Sequence, residues 1–182
     1  MILLVGLGNP GTPYINNRHN VGFMFADFFV RNFSPENSTG FVFSKLVNAD
    51  LATISTSQKL SVSKPQGFMN RSGESVKKIR DFYKIKTESI IVAHDDLDIP
   101  LGKFKIQQAN GPKQHNGIAS IEEQLGDNNF WRIRIGVENR DPYNRMPGEA
   151  YVLQNFTDEE KKVIEGTFPQ IIERLQQQMS LT

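Results

Sequence analysis

Cysteine is absent from this 182-residue chain. Its absence removes thiol nucleophiles, thiolate metal sites and disulfides together, and it suits a reducing, cytoplasmic setting. Histidine is scarce: His19, His94 and His115 are the only imidazoles available as neutral-pH bases. Net charge is nearly absent at +1, which excludes a strongly basic fold but not a local basic patch. No run is apolar for long enough to span a bilayer, since Asp27 interrupts the best stretch, VGFMFADFFV. The N-terminal apolar run is too short for a secretory signal and lacks a basic flank, so no membrane partner is expected. No G-x-S-x-G elbow is present, which leaves serine acyl-enzyme chemistry without support. No H-x-x-H or H-E-x-x-H occurs, and HDD alone is not a standard ligand spacing, so neither a metal nor another cofactor is expected.

What remains is an ordinary globular composition, 38% hydrophobic and 23% charged. No linker or repeat divides it, so residues 1–182 read as one domain. Residues 1–6 read as a buried strand and 20–32 as an amphipathic helix carrying Val21, Met24, Phe25, Phe28 and Phe29. Short strands are expected at 41–48, 50–56 and 60–64, then a helix through MNRSGESVKKIRDFYK. ESIIVAH (88–94) reads as a buried strand ending in an acidic loop, HDDLDIPLG. Residues 103–107 form a strand, GIASIEEQLG a helix stopped by Gly126, and WRIRIGV a strand with outward arginines. Thr157-x-x-Glu160 is a capping box that opens a helix, and Gly166 with Pro169 separates it from a last helix at 170–179. Strands alternating with helices predict a three-layer α/β/α domain around a mixed, mostly parallel sheet.

Gly6, Gly8 and Gly11 in MILLVGLGNPG fit G-x-G-x-x-G directly after a strand. A dinucleotide turn starts its helix inside the glycine run. Here Pro10 and Pro13 flank the last glycine, the helical period begins only near Asn20, and Asp50 comes too late to hold a ribose. Glycines that let a turn pack tightly are the plain alternative. A third reading is preferred: the loop lies beyond the carboxyl end of a strand, where α/β sheets place ligands, and presents Asn9, Tyr14 and His19 to a cleft.

An aspartate at the lip of a central strand is placed to orient His19, fixing its tautomer as the third group of a hydrolytic triad does. Asp95 and Asp96 both follow the buried strand, with capping in a solvated loop as their ordinary alternative. Asn9, Asn70 and Asn116 recur in loops that share this face, and neutral amides suit the positioning of water, carbonyls and sugar hydroxyls. Helix capping is the plain alternative for Asn70 and Asn116. Lys103 with Lys105, and Arg132 with Arg134, alternate along strands, and Lys113 lies in the loop before His115. They form either a solvated rim or, if the faces adjoin, a patch that tracks phosphates.

Together, VGLGNPGTPYINNRHNVGF, FMNRSGESV, AHDDLDIPLGKFK, HNGIASI and FWRIRIGVENR resemble bacterial peptidyl-tRNA hydrolases, in order from residue 5 to about 140. VLQNFTDEE adds a fainter match. The resemblance implies a monomeric α/β enzyme that cleaves the ester between a peptide and the terminal ribose of tRNA, with no cofactor. It implies His19 as general base, Asp95 as its carboxylate partner, and Asn9 as the group that checks for a blocked amino terminus. It places Tyr14, Phe68, Asn70 and Asn116 against the substrate, and Lys103, Lys105 and Arg134 against tRNA phosphates. Asn70 is also expected to stabilise the oxyanion. One stretch departs from the family: QQANGPKQHNG carries Gln107, Gln108, Pro112, Lys113 and Gln114 where glycines are common, which makes a stiffer and bulkier loop. RLQQQMSLT also lacks a basic tail. A nucleotide-dependent oxidoreductase, a non-catalytic RNA-binding module and a metal-dependent enzyme are the rival readings.

Overall fold

The apolar N-terminal run forms β1 (Ile2–Gly6), which is buried from Leu3 onward and sits in the middle of a seven-stranded sheet. The computed structural model describes residues 1–55 and 59–179. The other strands are β2 (Val42–Ser44), β3 (Ala49–Ser55), β4 (Lys59–Pro65), β5 (Ile90–Pro100), β6 (Phe104–Gln108) and β7 (Trp131–Glu138). Residue 56, the expected end of the third strand, lies outside the described residues. The spatial order is β2-β3-β4-β1-β5-β7-β6. The four central strands run parallel, and antiparallel β2, β3 and β6 close the two edges.

The helices are α1 (Val21–Asn32), α2 (Ser72–Tyr83), α3 (Asn116–Leu125), α4 (Gly148–Val152) and α5 (Asp158–Met179). Phe25 and Phe29 of α1 and Phe168, Ile171 and Leu175 of α5 bury one sheet face with Leu4, Ile91 and Ile133. Val76 and Ile79 of α2 and Ile118 and Ile121 of α3 bury the other with Leu3, Val5 and Val92. The expected three-layer α/β/α architecture with a parallel core is therefore present. Among the described residues no helix is long and apolar enough to cross a membrane.

Gly6 shows what the first glycines do. A Cβ there would lie 2.3 Å from the Gly22 carbonyl oxygen, and one on Gly22 would lie 2.3 Å from that of Ala93. The start of α1 thus packs backbone-to-backbone across β1 and β5. Residues 7–20 separate β1 from α1, so the strand does not turn directly into a helix as a dinucleotide site requires.

Three expectations are corrected. The acidic stretch is strand rather than loop: β5 continues through Asp95 and Asp96 and pairs with β7 as far as Asp96 opposite Gly136. Partners from other elements satisfy these carboxylates, as described below. Second, α5 is continuous through Pro169. An interior proline costs about 3 kcal/mol. Burying Phe168, Ile171 and Leu175 returns about 1.5–3 kcal/mol each, so burial decides. Third, Arg132 and Arg134 point inward, with only 1% and 8% of their surface exposed. Arg132 pairs with Glu122 of α3 at 2.5 Å and lies over the Phe130 ring, and Arg134 pairs with Asp96.

Candidate active site

The loop after β1 brings His19 back past the carboxyl end of β1 to the middle of β5, on a tight turn (Arg18–Asn20) that leads into α1. The turn is pinned on both sides. Asn20 Oδ1 accepts from the Asn9 backbone N–H and Asn20 Nδ2 donates to the Asn9 carbonyl, each at 2.9 Å. On the other side, Arg18 donates its backbone N–H to the Gln154 carbonyl.

Asp95 lies on β5 directly across from this turn. Its Oδ1 is 2.8 Å from His19 Nδ1. An ionised carboxylate only accepts, so Nδ1 carries the proton and Nε2 keeps its lone pair. The same oxygen is 2.9 Å from His115 Nε2. His115 precedes α3 as its N-cap, where Nδ1 accepts from the backbone N–H groups of Gly117 and Ile118 at 3.1 and 3.3 Å. Those two donors fix the opposite tautomer in His115, with the proton on Nε2 aimed at Asp95. The imidazoles of His19 and His115 lie 5.0 Å apart, and His94 packs edge-on beneath His115 at 4.9 Å.

Burial opposes charge on His19, but the Asp95 charge and hydrogen bond outweigh it and raise its pKa above the ordinary imidazole value. Burial of Asp95 works the same way against its charge. The two histidines and their hydrogen bonds overcome that effect and hold its carboxyl far below the usual carboxylate range. His94 is fully buried, and desolvation followed by its proximity to His115 pushes its pKa well down, so it is neutral.

Three loops build the rim. Asn9 is largely buried, and its Oδ1 accepts from the Met69 N–H at 2.8 Å, which ties the β1 loop to the turn before α2. Met69 reaches the start of α3, where a Cβ on Gly117 would meet its sulfur. Asn70 and Asn116 are exposed and follow Met69 and His115 directly. Neither caps its helix by side chain; His115 takes that role for α3. The half-buried Tyr14 and exposed Phe68 meet edge to face at 6.3 Å. Asn9, Tyr14, His19, Phe68 and Asn70 are thus borne by loops that meet Asp95 of β5 and Asn116 at the start of α3.

The cations divide differently. Lys103 and Lys105 are exposed where β6 begins. Arg134 lies opposite Lys105 across the β6–β7 pair, but its Nε donates to Asp96 Oδ2 at 2.7 Å and its Nη1 to Gln107 Oε1 at 2.9 Å. Gly111 packs its backbone against the same guanidinium. Gln107 is one of the residues that departs from the glycine-rich pattern, and here it has a specific partner.

His115 was not among the residues singled out for chemistry. Its signal was available: it is one of three histidines and stands immediately before an expected helix. Donor atoms of His19, Asp95 and His115 all lie within 4.8 Å of one another, a spacing that three metal ligands also satisfy. Both N–H protons are directed at Asp95, so a cation would have to displace two hydrogen bonds.

Comparison with known proteins agrees over nearly the whole chain. The peptidyl-tRNA hydrolase family model matches residues 3–181. A peptidyl-tRNA hydrolase of Rickettsia bellii (strain RML369-C) is 40% identical over 172 residues, spanning 94% of this chain and 89% of the relative. One from Oleidesulfovibrio alaskensis is 42% identical over 169 residues, spanning 90% and 82%. The crystal structure of peptidyl-tRNA hydrolase from Acinetobacter baumannii matches with a TM-score of 0.83 at 28% identity, covering 97% of this chain and 87% of that one. The protein is an α/β enzyme of the ester hydrolase class. More particularly, it belongs to the peptidyl-tRNA hydrolase family.

Proposed function

We propose that the protein hydrolyses the ester joining a peptide to the terminal ribose of tRNA, with His19 as general base and Asp95 as its orienting partner. One observation carries this reading: His19 Nδ1 lies 2.8 Å from Asp95 Oδ1, which leaves Nε2 as the free base. Nε2 takes a proton from water as the water oxygen attacks the ester carbonyl. The positive charge that appears on the ring faces Asp95. The tetrahedral oxyanion collapses by expelling the ribose oxygen, and His19 returns its proton to that oxygen. The products are a peptide carboxylic acid, which ionises by losing a proton to solvent, and tRNA with a free terminal hydroxyl.

The amides take the neutral roles. With its Oδ1 committed to Met69, Asn9 turns its NH₂ toward substrate, where it meets the first peptide carbonyl of a blocked amino terminus. Asn70 stabilises the oxyanion, and Asn116 holds water or the terminal adenosine. Tyr14 and Phe68 supply an apolar wall to the substrate. Lys103 and Lys105 contact tRNA phosphates, whereas Arg134 holds Asp96 and the loop before His115. His115 is a positioning residue, because it fixes Asp95 from the side opposite His19.

Cleavage of an N-blocked aminoacyl-tRNA, run beside the unblocked form and with chelator present, tests the proposal. The blocked ester is cleaved, the unblocked one is spared, and EDTA leaves the rate unchanged. Binding of tRNA with the ester intact favours an RNA-binding module, and loss of activity with EDTA favours a metal at the His19–Asp95–His115 cluster.

A further inference from the structure

The reading of His19 as the base leaves one buried charged pair without a role. Arg18, next to His19, has 4% of its surface exposed, and Glu160 at the start of α5 has 5%. Arg18 Nη2 donates to Glu160 Oε2 at 2.6 Å, and its guanidinium carbon lies over the Tyr151 ring, 4.0 Å from the centroid. Every other lone pair of that carboxylate is directed too. Glu160 Oε2 accepts from the Thr157 N–H at 2.9 Å, while Oε1 accepts from Asn139 Nδ2 at 3.1 Å and the Tyr151 hydroxyl at 3.3 Å.

The pair belongs to a seam. Phe156 N–H donates to the Asn16 carbonyl at 2.9 Å, and Asn17 Nδ2 donates to Asn155 Oδ1 at 2.8 Å. Residues 151–160 are therefore stitched along the chain that leads to His19. A buried ion pair is a poor device for stability, because desolvation consumes most of its Coulombic gain. Its directional hydrogen bonds instead fix geometry, and this one fixes the backbone of the residue beside the base.

We propose that Glu160 is a positioning residue for hydrolysis: through Arg18 it sets the height and angle of His19 against Asp95, although it touches neither. This inference rests on His19 being the base. It assigns a catalytic consequence to the α4–α5 segment, which contributes no group to the reacting atoms.

Glu160→Gln tests it, since glutamine keeps the length and an oxygen for the Thr157 N–H but removes the charge that holds Arg18. We expect kcat to fall about 10-fold or more with KM within about two-fold, because small misplacement of a reacting group is expensive while substrate contacts persist. The acid limb of kcat and the His19 proton resonance should both move to lower pH, as Asp95 grips the imidazole less. His115 and Asp95 are the other titratable groups facing His19, and both are unchanged. Thr157→Ala, which removes only the bond to the Glu160 N–H, should lower Tm and leave kcat within about two-fold. If Glu160→Gln does not fold, Arg18→Lys serves, with the same displaced acid limb expected. A Glu160→Gln or Arg18→Lys enzyme with lowered Tm but unchanged kcat and acid limb overturns the inference. Retained turnover in His19→Ala overturns the underlying reading instead, so the two failures are distinct.

Discussion

His19 and His115 donate to one and the same oxygen, Asp95 Oδ1, at 2.8 and 2.9 Å. They do so through different nitrogens, Nδ1 in His19 and Nε2 in His115. The second nitrogen of His115 is consumed by backbone donors, whereas that of His19 has no hydrogen-bond partner among the described residues. Two chemically identical rings are thereby left in different states: both nitrogens of His115 are engaged, whereas His19 is held at Nδ1.

The first prediction concerns pH. A general base works when unprotonated, and His19 has its pKa raised because the Asp95 charge outweighs burial. The acid limb of kcat/KM should therefore have its midpoint above the free imidazole value of about 6.5. A rate profile across this range checks it, and a midpoint below that value contradicts the pairing.

Replacing Asp95 with Asn separates the two influences on His19. Without the charge, burial is left to act alone, and it lowers the imidazole pKa. The acid limb should move below the ordinary value while the plateau rate falls by about 10²–10⁴-fold, because the wrong tautomer is favoured. Proton NMR of His19 and the rate profile read both effects.

His115→Ala should reduce kcat about 10-fold or more through looser placement of Asp95. It also removes the N-cap of α3, at a cost of about 1 kcal/mol. Denaturant unfolding separates the stability cost from the rate effect. His115→Asn, which restores a cap oxygen but cannot reach Asp95 as the ring does, should recover stability without recovering rate.

The cations should split into two kinds. Lys103→Ala and Lys105→Ala should leave Tm unchanged and reduce the salt slope of tRNA binding by about one each. Arg134→Gln breaks a buried pair with Asp96 and should destabilise by about 3 kcal/mol. Binding isotherms at several salt concentrations, with thermal melts, discriminate them.

The legible part of the fold was the part carried by local pattern. Phe25 and Phe29 announced the buried face of α1 by spacing alone, and Gly126 stopped α3 as expected, in a left-handed conformation that the structure adds. Thr157 and Glu160 formed the expected capping box. Misreadings arose where distant partners reversed a local preference. Asp95 and Asp96 read as a solvated loop because nothing nearby in sequence neutralises them; His19, His115 and Arg134 do so from 76, 20 and 38 residues away. Arg134 read as outward for the same reason, and Pro169 read as a helix end because its neighbours' burial against the sheet is not a local property. At the site, the resemblance singled out His19 and Asp95, whereas His115 needed the tertiary contact to become visible.

The most direct test of the central claim is single-turnover cleavage of a labelled N-blocked aminoacyl-tRNA by wild type and His19→Ala at equal, saturating enzyme. The account predicts cleavage by wild type and a loss of about 10²–10⁴-fold or more in His19→Ala with tRNA affinity retained. Equal cleavage rates in the two proteins would contradict it.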